Sequence, residues 1–233
     1  MSATDRGPAV AVPALAAGDI LDAPTFHERY AAMPPSTRAE LVGGVVHMPS
    51  PLQLDHASEG FSAGAWLGFY AARTRGVGGL DNASTRLDDG GEVQPDYSLR
   101  IRQAFGGQSR EGRILEGAPE LVVEVARSSR AYDLGPKKDQ YERAGVCELI
   151  VAALDPDELF WFVLRDGRYG RLAPGPDGLY RSEVFPGLWL DPEALFEQDL
   201  PRLSAVVDLG VATPEHAAFV ARLARAGEAR RPG

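Results

Sequence analysis

Apolar positions along the chain change their period several times, and each change predicts an element. DAPTFHERYAAMPP reads as a short helix over about 24–33, with Asp22 as its cap and Pro34-Pro35 as its stop. AELVGGVVHM follows as two short apolar strands around Gly43-Gly44, the signal of a tight hairpin. Residues 55–74 carry Phe61, Ala65, Leu67 or Gly68, and Ala72 near helical spacing, with Trp66 and Phe69 widening the apolar face, and predict an amphipathic helix. After a Gly-rich turn, RGVGGLDNA, the stretch STRLDDGGEVQPDYSLRI reads as two strands joined at 88–91, and residues 103–120 read as a polar loop.

LVVEVA, Leu121 to Ala126, is the most apolar β-branched run and predicts a central strand buried on both faces, interrupted once by Glu124. A helix over about 136–144 has Pro136 in its first turn and Gly145 at its end. CELIVAALD is a second buried strand, and ELFWFVLRDGRYGRLAP a hairpin turning at Asp166-Gly167. LYRSEVFPGLWL adds strand, DPEALFEQ a short helix, and TPEHAAFVARLARAG a closing helix before a frayed GEARRPG. Strand, helix, strand in the middle predicts an α/β fold, a mixed sheet flanked by helices with antiparallel hairpins attached. The expected division is a flexible lead-in over 1–21, one domain over 22–200 and a helical extension over 201–233.

The composition narrows the classes. With 233 residues, 44% hydrophobic and 24% charged, the chain suits one globular domain with a sizeable core. A formal charge of −9 repels a phosphate backbone, so any contact with nucleic acid must come from a local basic patch. The single cysteine, Cys147, forms no internal disulfide, which fits a reducing cytoplasm. The opening residues lack the basic region of a secretory signal, and no apolar run approaches the roughly 18 residues of a bilayer span. No P-loop is present, and the chain is not read as a Ser-His-Asp hydrolase, which wants its nucleophile on a sharp elbow.

The chemistry lies in carboxylates placed where strands exclude them. In EVQPDYSLRI a proline, which cannot donate to a ladder, precedes Asp96, so the acid sits at the mouth of a strand. Glu124 interrupts the central strand. Buried carboxylates are paired or coordinate a cation, and two together suit Mg²⁺ or Mn²⁺. The plain alternative is that Glu124 pairs with an arginine and Asp96 caps a turn. Lys137 and Lys138 stand in the first helical turn, against the dipole. Either they pair with Asp133 and Asp139, or Lys137 reaches over the sheet toward the two acids.

QPD at 94–96 and VEV around Glu124 resemble the PD-(D/E)XK nuclease superfamily, although Ala126 stands where that motif has its lysine. The chain also resembles the Uma-type restriction-endonuclease branch. The matching runs are AELVGGVV (39–46), SPLQLDH (50–56), VQPD (93–96), GAPELVVEV (117–125) and YDLGPKKDQYERAGV (132–146), within a similarity spanning about 25–190. Arg127 and Arg130 depart from the family's usual turn, and either bind phosphate or pair with nearby acids.

The resemblance implies a restriction endonuclease-like fold. It implies Asp96, Glu124 and Glu40 as metal ligands, Lys137 as the relocated lysine, and His56 in support. His56 reads equally as a helix cap, and Glu40 as a strand-edge charge. The implied activity is Mg²⁺- or Mn²⁺-dependent hydrolysis of phosphodiester bonds in nucleic acid, DNA first, by a cytoplasmic enzyme. The alternative is an inactive nuclease-like domain that binds or regulates. Exposed hairpins are compatible with a homodimer.

Overall fold

The structure is a computed structural model and describes residues 12–48 and 54–230, with the side chains of 54–59 outside the description. Among the described residues, two six-stranded sheets, one two-stranded sheet and seven α-helices form a mixed α/β fold. Of the segment read as a lead-in, residues 1–11 lie outside the described residues, whereas Leu15 is buried and Ile20 bridges Val45.

Helix α1 (Ala23–Ala31) starts as its sequence dictates, the Asp22 carboxylate accepting the Thr25 N–H at 2.8 Å. Strands β1 (Glu40–Val42) and β2 (Val45–His47) pair across Gly43 and Gly44 at φ +60° and +78°, the doubly positive turn that glycine makes cheap. Leu41 and Val46 pack beside Phe26 of α1, whereas Val42 joins the core on the opposite side. Alternation along β1 therefore sends Glu40 toward the inside of the molecule.

After α2 (Leu54–Arg73) comes β3 (Val77–Asp81), where a turn was expected. Gly78 and Gly79 weaken the strand signal, yet they pair with Arg100 and Leu99 at the sheet edge. The segment expected to form two strands forms three: β4 (Thr85–Arg86), β5 (Glu92–Val93) and β6 (Tyr97–Ile101). β4 and β5 belong to the first sheet and β6 to the second, so Pro95-Asp96 is the point at which the chain changes sheets. The expected polar loop contains a small hairpin, β7 (Arg110–Glu111) and β8 (Leu115–Glu116), that extends the first sheet.

Strand β9 (Leu121–Ala126) is buried at every position and lies parallel to β10 (Glu148–Ala153). The crossover between them consists of α3 (Arg130–Tyr132), a π-type turn over Asp133–Lys137 and α4 (Lys138–Ala144). The helical path thus begins well before the expected residue 136. Beyond it lie β11 (Glu158–Arg165) and β12 (Arg168–Arg171), joined at Asp166-Gly167, then β13 (Tyr180–Arg181) and β14 (Trp189–Leu190). α5 (Pro192–Phe196), α6 (Leu200–Val211) and α7 (Pro214–Ala229) close the chain. α6 adds to the elements read from the sequence, although its buried Leu203, Val206, Val207 and Gly210 stand at helical spacing. α7 continues through the glycine and glutamate expected to fray.

The second sheet runs β12-β11-β10-β9-β6-β3 and has a core on each face. On one face Leu121, Val123 and Val125 meet Trp66 and Tyr70 of α2, Leu203 and Val207 of α6 and Phe219 of α7. On the other, Val122 and Ala126 meet Tyr141 of α4, Val42 and Val93 of the first sheet, and Leu87 just after β4. Glu124 shares this second face by alternation, and so opens into the seam between the two sheets and the crossover.

Candidate functional site

Three pieces of backbone deliver the acids. The β6–β9 register ends with Tyr97 opposite Val123, so Asp96, one position earlier, arrives beside Glu124. The Val125 N–H donates to Asp96 Oδ2 at 2.8 Å, and the Asp96 N–H reaches toward Glu124 Oε2 at 3.4 Å. Pro95 removes the N–H that would have carried the β5 ladder onward. Asp96 stays half-buried while Glu124 is 3% exposed.

The crossover delivers the lysine. Gly135, pushed out of the helical region by the following proline, sits at φ −110°, ψ −109°. The wide turn that results places Lys137 inside the seam, 5% exposed. Its Nζ lies 2.9 Å from Glu124 Oε1 and 3.1 Å from Glu40 Oε1. Of the two readings open for the lysines, Lys137 takes the inward one, whereas Lys138 pairs with Asp139 at 3.5 Å.

Two tyrosines of the same crossover complete the arrangement. The Tyr141 hydroxyl donates to Glu124 Oε1 at 2.6 Å, and the Tyr132 hydroxyl donates to Glu40 Oε2 at 3.2 Å. Gln94 donates its N–H to Glu40 Oε1 at 2.7 Å. Sequence reasoning missed both tyrosines, although each lies in the YDLGPKKDQY run, because tyrosine at helical spacing reads as core. The His47 ring packs on Tyr132 with centroids 4.3 Å apart. Asp133, 4% exposed, joins the same electrostatic group.

Four acids therefore share one buried ammonium. Burial pushes Glu124 well above the usual carboxylate range; Lys137 opposes the shift, and Asp96, Asp133 and Glu40 add to it. Asp133 rises to about 6 for the same first reason. Burial alone would lower Lys137, but Glu124, Glu40, Asp133 and Asp96 outweigh it and hold the ammonium charged. Burial and the neighbouring acids keep both tyrosines protonated as donors. Burial lowers His47, with Glu40 opposing and Lys137 reinforcing.

Of the residues expected at the site, Asp96, Glu124, Lys137 and Glu40 come together. His56 falls in the first turn of α2, and its side chain lies outside the described residues, as do residues 50–53 of the SPLQLDH run. Arg130 turns away from the acids to pair with Glu158 and stack on Phe160, with 5.0 Å between guanidinium and ring. Among the described residues no three His, Cys, Asp or Glu side chains converge as a preformed ion cage. Mg²⁺ keeps several waters and needs only one or two carboxylates, so Asp96 and Glu124, adjacent across β6 and β9, are a donor set that fits it.

Setting the hydrolase class aside rests on the fold, because Gly60-Phe61-Ser62-Ala63-Gly64 does have the G-x-S-x-G spacing. These residues lie within α2 rather than on a strand-to-helix elbow, and Ser62 is fully buried. Among the described residues no helix is long and apolar enough to cross a membrane.

No curated protein matches the chain. Among solved structures, a putative nuclease of the DUF820 family from Anabaena variabilis ATCC 29413 superposes with a TM-score of 0.57 at 16% identity. The alignment covers 73% of this chain and 96% of that one, which shows a shared fold. The sequence model of the Uma2 family, described as "Putative restriction endonuclease", matches residues 23–193, in step with the span over which the motifs resemble that family. The chain belongs to the Uma2 family.

Proposed function

We propose that the seam formed by Glu40, Asp96, Glu124 and Lys137 is the hydrolytic centre of a Mg²⁺- or Mn²⁺-dependent endonuclease acting on DNA. The observation that carries this reading is that Glu40 of β1 and Glu124 of β9 meet the buried Lys137 ammonium of the β9–β10 crossover, with Asp96 of the β5–β6 crossing beside Glu124. Buried charge of this kind is costly, and it clusters where chemistry needs it.

Asp96 and Glu124 would hold the ion, which would supply Lewis-acid compensation of phosphate charge and acidify nearby water. The remaining work falls to the protein. Lys137, ion-paired with Glu124 and Glu40, would turn its ammonium toward water or a phosphate oxygen. Tyr141 fixes the Glu124 carboxylate so that Oε2 faces Asp96. Glu40, engaged by Lys137, Tyr132 and Gln94, anchors the ammonium. The Val125 N–H holds Asp96 in place against β9.

Nicking of supercoiled plasmid by purified protein tests the reading. Wild type should nick with Mg²⁺ or Mn²⁺ and stop when the ion is chelated, and Asp96→Asn should be inactive while still folded. Metal-independent nicking, or full activity in the folded Asp96→Asn variant, would overturn it.

A further inference from the structure

We propose that His47 is a further catalytic residue of this centre, an N–H donor at its rim for a non-bridging oxygen of the substrate's phosphodiester; the proposal rests on the nuclease reading above. His47 is the direct cross-strand partner of Glu40 in the β1–β2 hairpin, so the two side chains project from the same face into the seam. Its ring lies against Tyr132 at 4.3 Å and 37°, and the Tyr132 hydroxyl is bound to Glu40. The imidazole is thereby oriented by a residue that belongs to the acid cluster.

Exposure separates His47 from its neighbours. Lys137, Glu124 and Glu40 are each no more than 5% exposed, and the ammonium lies against both carboxylates. His47 is only half-buried, and among the described residues it takes part in a ring contact but in no hydrogen bond. A histidine serving the fold would use its ring nitrogens on neighbours, as His216 does with Thr74 at 2.9 Å. A diester entering the seam brings oxygens that need donors. A donor aimed where charge develops is worth on the order of 10²–10³ in rate.

The test compares wild type, His47→Ala and His47→Gln, whose amide keeps an N–H donor. Plasmid nicking with Mg²⁺ gives kcat and KM, thermal unfolding reports the fold, and imidazole NMR signals are followed as a short DNA duplex is added in Ca²⁺. The alanine variant should lose on the order of 10²-fold in kcat with its melting midpoint nearly unchanged, and the glutamine variant should recover about tenfold of that. The His47 signals should shift as duplex is added. Wild-type kcat in His47→Ala, a loss no larger than the fraction unfolded, or unmoved signals would overturn the role of His47 while leaving the nuclease reading standing. A wild-type protein that never nicks would instead overturn the nuclease reading, and this proposal with it.

Discussion

Lys137 and Glu124 meet at 2.9 Å with both side chains out of water, and Glu40 closes on the same ammonium from the opposite sheet. Removing one partner of such a group strands the other as uncompensated buried charge, which costs about 3–5 kcal/mol. Lys137→Met is therefore expected to destabilise the protein by that amount in urea unfolding, as well as to abolish nicking. Adding Glu124→Gln to Lys137→Met should cost less than the sum of the single changes, because the second removes the charge that the first exposed. Strict additivity in the cycle would show that the pair does not interact.

The metal is expected to depend on Asp96 and Glu124. Asp96→Asn keeps an oxygen to accept the Val125 N–H, so the strand pairing it supports should survive. Calorimetric titration with Mn²⁺ should nonetheless weaken by at least about tenfold in Asp96→Asn and in Glu124→Gln, since even outer-shell changes cost 10–100-fold. Glu40→Gln should weaken it less, its oxygens being engaged by Lys137, Tyr132 and Gln94. Equal affinity in all three variants would remove these acids from the ion site.

Much of this arrangement was legible in the sequence because it breaks local rules. Asp96 behind a proline, Glu124 inside an apolar strand and Lys137 in a first helical turn each contradict their surroundings, and all three converge. What the pattern hid was sheet membership. EVQPDYSLRI keeps a period of two on both sides of Pro95, and only long-range pairing, β5 with β1 and β6 with β9, shows that its halves lie in different sheets. The glycines of β3 hid a strand for the opposite reason, since their pairing comes from β6 rather than from their own preference. Tyr132 and Tyr141 kept their period, and only the acids beneath them reveal their role.

Tyr141→Phe isolates one such hydroxyl. The ring stays in the core with Val42 and Val122 while Glu124 Oε1 loses its 2.6 Å donor. Because Lys137 still contacts that oxygen, the expected cost is about 1–2 kcal/mol in unfolding. Activity should fall further than stability, as Glu124 gains freedom to rotate. A variant with wild-type kcat and reduced stability would make Tyr141 purely structural.

Away from the seam, Glu148 predicts how stability varies with pH. Its side chain is fully buried, and it accepts from the Ser182 hydroxyl at 2.7 Å and from the N–H groups of Glu183 and Val184 at 2.6 and 3.2 Å. Burial outweighs these donors and pushes it up to about 7 from 4.5. Between those values the folded state holds a proton that the unfolded chain has lost, so stability falls as pH rises through the window and levels off above about 7. The fall amounts to at most about 3 kcal/mol. Asp133, raised to about 6, slopes the same way over its own lower range. Urea unfolding near pH 5 and pH 8 should therefore show the greater stability at the acid end. Glu148→Gln, which cannot titrate, should flatten that part of the profile. An unchanged slope in the glutamine variant would place the titration elsewhere.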